Sequence, residues 1–394
     1  MIASHAMRIC HVSPHLPPDQ AANALLPAHL GRWAHEAGHT VTFVTQGKAR
    51  TGAPGAPSAA GAGLPGLVRE TRPRTSSSFQ RWLRIDTIRR SQSIAAALDE
   101  VGHDADLVHL HSNGLIVEVA SAWAHRRGKS VVLTLYGTEI WHYRRRWPVD
   151  PFTRAYTRAH AVTFYSQKLL DRARELGLDR PGLSTIYPPV AAAFGAADDD
   201  TRARLRAELG IAEPRVILNV KRLHPLAGQR HLIDAFVAIA RSRGDVRLVI
   251  CGTGELRAEL EARAAAAGVA ARVTFTGLVP NHVVAQYAAV ADVFALPSEL
   301  EALPTVAVEA LAAGTPVVST DHPGGVELHA LFGDDVQVVP RGDVTGLARL
   351  LATAVAEPRR THPQTAALVT ARFGPAAVRD AYLVIYEAVL ARRR

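Results

Sequence analysis

Short apolar runs alternate with longer stretches of helical periodicity along almost the whole chain. The runs are Arg8–Val12, Val41–Thr45, Leu107–Leu110, Val131–Leu135, Val162–Tyr165, Val216–Val220, Val246–Ile250, Val273–Phe275, Val293–Leu296, Pro316–Ser319 and Val336–Val339. They are rich in Val, Ile and Leu and read as buried strands. Apolar positions recur at helical spacing in Asn23–Ala37, Arg202–Glu208, His231–Arg241, Glu255–Ala267 and Val283–Ala289. Strand and helix in strict alternation predict parallel sheets wrapped by helices. The strands are too many for one ordinary open sheet, so two doubly wound α/β domains are expected. Prolines, small residues and an acidic run interrupt the pattern from Tyr187-Pro188-Pro189-Val190 to Asp198-Asp199-Asp200. The first domain is therefore placed at residues 1–190 and the second at 191–374, followed by a last helical pattern, Ala376–Arg393. The Gly-, Ala-, Pro- and Ser-rich stretch Gly47–Ser78 reads as a mobile surface loop.

Composition narrows the class. Of 394 residues, 48% are hydrophobic and 21% charged, which suffices for ordinary globular cores. No uninterrupted apolar run reaches the roughly 18 residues of a membrane span, and the first residues lack the charged region and apolar core of a secretory signal. Cys10 and Cys251 both fall in predicted strands and are expected as buried free thiols, in keeping with a reducing cytoplasm. The net charge of +9 admits a solvated arginine-rich surface, an anionic substrate, or peripheral contact with the anionic inner face of a membrane. Arg144-Arg145-Arg146 and Arg392-Arg393-Arg394 are the densest clusters. The basic residues do not alternate with aromatics and no nucleic-acid module is present, so no nucleic-acid partner is expected.

The most informative chemistry lies in Pro297-Ser298-Glu299-Leu300-Glu301-Ala302-Leu303-Pro304-Thr305-Val306-Ala307-Val308-Glu309-Ala310. An apolar strand runs into a loop that carries Glu301. A helix start at Pro304-Thr305 follows, with Glu309 about one turn inside. Backbone N–H groups at a helix N-terminus favour an anion such as phosphate, and the two carboxylates can accept hydrogen bonds from hydroxyls on either side of it. The competing reading is a solvated amphipathic helix with a loop carboxylate. The strand Val216–Val220 ends in Lys221-Arg222, at the edge where doubly wound sheets bind ligands. Val249-Ile250-Cys251-Gly252-Thr253-Gly254 is a strand and a glycine turn. It lacks the third glycine and later acid of a dinucleotide fingerprint.

The stretch from Glu301 to Glu309 resembles the E-x7-E motif of retaining glycosyltransferases of family 4, which have the GT-B fold. The resemblance covers nearly the whole chain and is strongest from Val216 to Ser319. It implies two Rossmann-like domains facing across a cleft, the first binding an acceptor and the second a nucleotide sugar. It also implies a C-terminal helix, residues 375–394, crossing back to the first domain. In the family's R-L-x-x-x-K-G segment, Arg222 matches and Ala227 stands where a lysine is usual; Lys221 and Arg230 are alternative sources of that charge. Gly252 and Gly254 match a G-x-G-x-L segment, and Leu278 lies in Phe275-Thr276-Gly277-Leu278-Val279, where backbone groups meet the base. Leu303, Pro304, Thr305 and Val306 belong to the phosphate-facing helix start. Glu301 is implied to hold sugar hydroxyls and Glu309 the ribose. Tyr136 and Glu139 lie in Thr134-Leu135-Tyr136-Gly137-Thr138-Glu139, similar to a T-x-H-G-x-D segment whose histidine contacts the donor sugar; here the imidazole is replaced by a phenol. On the acceptor side are Gln20, in a first loop without its usual glycines, His111 and Glu139.

Two metal readings fail on the residues. Asp104-Ala105-Asp106 precedes a strand, whereas a ligand site follows one. The 18 histidines show no spaced ligand set, His109 and His111 being alone on one strand face. The expectation is a cytoplasmic, metal-independent, retaining hexosyltransferase. Its donor is a nucleotide diphosphate sugar, UDP-sugar first, and its acceptor a saccharide or lipid-linked hydroxyl. Arg222, Glu301 and Tyr136 are the catalytic candidates. The alternative is a GT-B sugar-nucleotide binder or partner subunit without transfer activity.

Overall fold

Seven parallel strands form the first sheet, in the order β3-β2-β1-β4-β5-β6-β7. They are β1 (Arg8–Ser13), β2 (Thr40–Gln46), β3 (Leu67–Thr71), β4 (Leu107–His111), β5 (Ser130–Leu135), β6 (Ala161–Phe164) and β7 (Leu183–Thr185). Six more form a second parallel sheet, β10-β9-β8-β11-β12-β13. These are β8 (Arg215–Val220), β9 (Val246–Cys251), β10 (Val273–Gly277), β11 (Val293–Leu296), β12 (Val317–Thr320) and β13 (Val336–Val339). The structure, a computed structural model, describes residues 6–19, 22–46, 61, 63–71, 85–145 and 150–392. It divides into two compact units, Met1–Tyr187 with Val378–Arg394, and Pro188–Ala377. The division falls three residues before the expected break at 190.

Central strands are buried and largely apolar because helices cover both faces of a parallel sheet. Every residue of β4, β5 and β6 is buried. Helix starts follow local capping chemistry: Asp150, Ser166, Asp198 and Asp343 each accept a backbone N–H of the turn they open. Both cysteines are buried and free.

The expected loop Gly47–Ser78 contains β3, which pairs in parallel with β2 from Thr42↔Leu67 to Gln46↔Thr71. β3 is an edge strand whose alternating exposed and half-buried positions carry little apolar signal. Its flanks, 47–60, 62 and 72–84, lie outside the described residues. β7, three residues long and half-buried, was likewise too short and polar to register as a run.

From Val378 on, the last helix, Pro375–Ala391, belongs to the first unit. Val378, Tyr382, Tyr386 and Val389 form its buried stripe, packed with Ile9, Phe43, Leu107 and Val132. Burial of such side chains contributes roughly 1.5–3 kcal/mol each. Both tyrosines also reach polar atoms on the sheet. The Tyr386 hydroxyl hydrogen-bonds with His109 Nδ1 at 2.7 Å. That of Tyr382 lies 3.3 Å from both the Thr134 and Thr163 hydroxyls.

Tyr386→Phe keeps the ring and leaves His109 Nδ1 buried without its partner. The expected cost is about 1–3 kcal/mol, read in the urea unfolding transition of the first unit. An unchanged midpoint would remove this bond from the helix's anchorage.

Candidate functional site

In both sheets the strand order reverses direction at one point, between β1 and β4 in the first and between β8 and β11 in the second. Loops leaving the C-terminal ends of such strands diverge to opposite faces and leave room for a ligand. In the second unit, β8 and β11 pair only at Val293↔Ile217 and Phe294↔Leu218. Beyond that register the Asn219 side chain continues the link, its Nδ2 donating to the Ala295 carbonyl at 2.9 Å. Asn219 Oδ1, Gln229 Oε1 and Ser298 Oγ are buried here without a partner, so this edge of the unit has unspent hydrogen-bonding capacity.

The structure brings the two halves of the expected donor site together at this edge. Lys221, just past β8, forms an ion pair with Glu301, in the loop after β11. Arg222 follows Lys221, is exposed and has no ion pair among the described residues. The loop carrying Glu301 is pinned on several sides. Glu299 N–H donates to the Leu226 carbonyl at 2.8 Å, Gly324 N–H to the Glu301 carbonyl at 3.1 Å, and the Thr320 hydroxyl to the Ser298 carbonyl. A Cβ at Gly324 would stand 2.7 Å from the Pro304 ring, so only glycine lets the next helix approach the loop this closely. His322, fully buried, caps that helix by accepting the Gly325 N–H at 2.9 Å. Burial, with Lys221 nearby, lowers its pKa to about 4. Gly324 and His322 were missed by sequence reasoning, although two successive glycines just past a strand end are a recognisable signal for such an approach.

Gly252 and Gly254 have a steric reason to be glycine. A Cβ on Gly252 would meet the Lys221 carbonyl, and one on Gly254 the Leu223 carbonyl. The β8 and β9 loops are zipped together here, with Lys221 N–H on the Cys251 carbonyl at 3.0 Å and Leu223 N–H on the Thr253 carbonyl at 2.9 Å. Leu278, after β10, is 70% exposed at the same edge. Ala227 is fully buried in the turn Pro225–Ala227. Of the two alternative cations, Arg230 is paired with Glu259, away from the strand ends, and Lys221 with Glu301.

The helix Thr305–Ala312 starts at Pro304 with no side-chain cap. Leu303 and Pro304 are buried, and Thr305 and Val306 half-buried. Glu309 sits in the second turn of that helix, and burial pushes its carboxyl up to about 7. Glu301 and Glu309 therefore differ in kind, the first being neutralised by Lys221 and the second a carboxyl poised near neutrality.

In the first unit, Tyr136, His111 and Glu139 cluster at the end of β5 and β4. The Tyr136 hydroxyl hydrogen-bonds with His111 Nδ1 at 2.8 Å. His111 is fully buried, and the phenol that holds it packs against the core of the first unit, beside Tyr165; neither the expected acceptor-side imidazole nor the expected phenol is turned to solvent. Glu139 is 4% exposed and accepts from the Ser112 hydroxyl and from Gly137 N–H at 2.8 Å, so its oxygens hold the loop that follows each strand. Gln20 lies outside the described residues. Asp106 accepts the Arg8 N–H at 2.9 Å and pairs with its guanidinium at 2.7 Å, a structural tie at the opposite strand end.

The expectation that the histidines form no set is corrected. β1 pairs with β4 so that His11 stands opposite His109. His11, His109 and His111 gather, all buried, with one nitrogen of each within 4.8 Å of the others. Sequence spacing could not show this, because His11 joins from a strand about a hundred residues away. Donor type alone would suit a transition metal. The nitrogens, however, are engaged: His109 with Tyr386 and Thr134 (2.7 Å each), His111 with Tyr136 and, at 3.0 Å, with His11 Nδ1. Only His11 Nε2 is unpartnered. Burial lowers all three pKa values, that of His11 to about 3, so the rings form a neutral hydrogen-bonded network.

Two family models match the chain between them: "Glycosyltransferase Family 4" over residues 28–194 and "Glycosyl transferases group 1" over residues 201–367. The GDP-mannose-dependent alpha-(1-6)-phosphatidylinositol monomannoside mannosyltransferase of Mycolicibacterium smegmatis is 32% identical over 250 residues. That match covers 60% of this chain and 64% of the relative. The 2-deoxystreptamine N-acetyl-D-glucosaminyltransferase of Niallia circulans is 24% identical, over 71% of this chain and 76% of its own length. Among solved structures, HepE of Anabaena in complex with UDP superposes with a TM-score of 0.75 at 18% identity, over 97% of this chain and 100% of that one. Sucrose-phosphate synthase from Thermosynechococcus elongatus gives 0.76 at 21% identity, over 98% and 100%. At such identities the structural likeness establishes the fold, GT-B.

Glu309 offers a direct test of its surroundings. Its folded pKa is raised, so the cost of its charge is absent below the unfolded value near 4.5 and fully present above about 7. Glu309→Gln is expected to raise the thermal unfolding midpoint relative to wild type at pH 8 and to leave it nearly unchanged at pH 4.5. A difference that does not grow with pH would show that the carboxyl is already ionised at low pH.

Proposed function

Because the chain belongs to the family 4 and group 1 glycosyltransferases, we propose that it moves a sugar from a nucleoside diphosphate sugar to an acceptor hydroxyl, with retention at the anomeric carbon. One observation carries the assignment of the donor to the second unit. Lys221–Glu301, Arg222 and the uncapped start of the helix bearing Glu309 converge at the C-terminal edge of one doubly wound sheet. A diphosphate there meets Arg222, Lys221 and backbone N–H groups at the helix start, which together offset the charge that grows as it leaves. Glu309 takes the ribose hydroxyls and Glu301 those of the sugar.

In the proposed reaction the bond between the anomeric carbon and the diphosphate oxygen breaks, and its electron pair leaves with the diphosphate. The acceptor hydroxyl oxygen bonds to the same face of the sugar and passes its proton to the departing phosphate oxygen. No protein nucleophile and no metal ion is assigned. No contact with the sugar is assigned to Tyr136, whose phenol is held inside the first unit by His111. The acceptor is a saccharide or a lipid-linked hydroxyl. Among the described residues no helix is long and apolar enough to cross a membrane, and the net charge of +9 suits peripheral attachment to an anionic surface. For the base, UDP and GDP are both carried: HepE was solved with UDP, and the mannosyltransferase relative is GDP-mannose-dependent.

Calorimetric titration with UDP, GDP and ADP in EDTA tests the donor site. Micromolar binding of one is expected; binding of none would favour a non-catalytic member of the family. Arg222→Ala is expected to weaken that binding by about 1.5–3 kcal/mol, as for a lost charge-assisted hydrogen bond. Glu301→Gln is expected to abolish transfer while keeping or improving nucleotide affinity, because it releases Lys221 for the phosphates. Equal losses in both would place Glu301 on the nucleotide rather than the sugar.

A further inference from the structure

The second unit has another pocket, of about 410 Å3, at the opposite edge of its sheet. Arg215 is the first residue of β8, and Asp292 immediately precedes β11. Arg202 and Arg206 come from the helix Asp199–Glu208, and Arg359 and Arg360 from the segment after the helix Val344–Ala356. Strand N-terminal ends are not where a doubly wound sheet places its principal ligand, so the nucleotide site does not account for this cavity. Its volume is in the range of small-molecule sites.

Its charge is unbalanced. Five arginines line it against two aspartates, Asp199 and Asp292. Arg359 is neutralised by Asp335, outside the pocket. Asp199 is fully exposed, and the buried Asp292 is shared between Val216 N–H at 2.7 Å, Arg206 at 3.3 Å and Arg202 at 3.6 Å. Burial and repulsion from Arg202 push the Arg360 pKa down to about 10. Burial lowers that of Arg206 too, with Arg202 and Arg215 adding to the effect.

The guanidiniums divide into two kinds. Arg206 donates to the Glu213 and Val290 carbonyls at 2.8 and 3.3 Å, and Arg360 to those of Ala291, at 3.0 Å, and Ala313. These close helix C-termini and strand entries, a structural duty. Arg202 and Arg215 are not so committed. Arg202 uses Nε on the Ala289 carbonyl at 3.2 Å, while its terminal nitrogens stand 3.6 Å from the aspartates, beyond hydrogen-bonding distance. Arg215 Nε is buried with no partner; among the described residues its side chain makes one hydrogen bond, of 3.5 Å to the Pro214 carbonyl, and Asp245 is the carboxylate it acts on electrostatically. Planar guanidiniums with unspent donors in an under-neutralised pocket match a phosphate group in charge and geometry.

We propose that this pocket is a second anion site that takes a phosphate-bearing ligand, with Arg202 and Arg215 as the binding pair. The phosphate belongs either to a small soluble metabolite or to a lipid headgroup; the site chemistry is the same.

The full-length protein is titrated calorimetrically with inorganic phosphate and pyrophosphate as wild type, Arg202→Gln, Arg215→Gln and Arg215→Lys, with Arg222→Ala as control. Thermal unfolding confirms that each variant is folded. The expected result for inorganic phosphate is at least a ten-fold loss in both glutamine variants, partial recovery in Arg215→Lys, and retention in Arg222→Ala; for pyrophosphate, any component lost in Arg222→Ala and kept in Arg215→Gln belongs to the donor site. UDP or GDP affinity should be unchanged in Arg215→Gln, which separates this site from the donor site whether or not the donor assignment holds. Flotation with phosphatidylglycerol and phosphatidylcholine vesicles names the source. Phosphatidylglycerol-selective binding lost in Arg215→Gln identifies a headgroup, and indifference to that substitution identifies a soluble phosphate. Wild type that binds neither phosphate nor pyrophosphate, or folded glutamine variants that bind like wild type, would overturn the proposal.

Discussion

At the C-terminal edge of the second sheet, three lengths of main chain lie in direct contact. The β8 loop touches the β9 loop at Gly252 and Gly254, and Gly228, in a left-handed conformation, lies against the Pro297 carbonyl of the loop after β11. No side chain fits between them. This contact allows Leu226 to accept the Glu299 N–H and brings Lys221 within reach of Glu301. Glu301, Lys221 and the start of the Glu309 helix thus have positions set by backbone packing. Side chains held by such a scaffold need little reorganisation when charge develops beside them.

Much of this was legible in the chain, for physical reasons. Strands covered on both faces, such as β8 and β11, are dominated by Val, Ile, Leu and Phe, so both sheets announced themselves. The motif around Glu301 and Glu309 was legible because strand, loop and helix start are consecutive. Other features depend on long-range register. His11 meets His109 because β1 pairs with β4, and no local pattern contains that information. β3 was hidden because an edge strand is only half-covered, and its neighbours in sequence are Gly- and Ala-rich. The pairing of Lys221 with Glu301 follows from strand order, which the alternation of elements leaves open. Ala227 stands where a lysine was expected and is fully buried.

Charge is used in two ways in the second unit. At one sheet edge, cations and carboxylates are few and placed singly on loops. At the other, arginines close helix ends by reaching carbonyl groups: Arg206 at Val290, and Arg360 at Ala291 and Ala313. An arginine-rich sequence therefore does not translate into a uniformly basic surface. Part of the positive charge is consumed as structural hydrogen bonding. The remainder is concentrated where donors outnumber the carbonyls within reach, as at Arg202 and Arg215.

The stripe Val378, Tyr382, Tyr386 and Val389 closes the core of a unit whose other members end at Tyr187. During synthesis, domains generally fold in the order in which they leave the ribosome. Here that order is inverted for completion. The first unit is made early, yet the hydroxyl that His109 requires arrives only after the entire second unit has been made. Until then an apolar face and a buried imidazole cluster stand open, and the second unit, contiguous in sequence, is free to finish first. A nascent chain of this protein thus spends most of its synthesis with its N-terminal half incomplete, the interval in which a holding chaperone would have the most surface to cover.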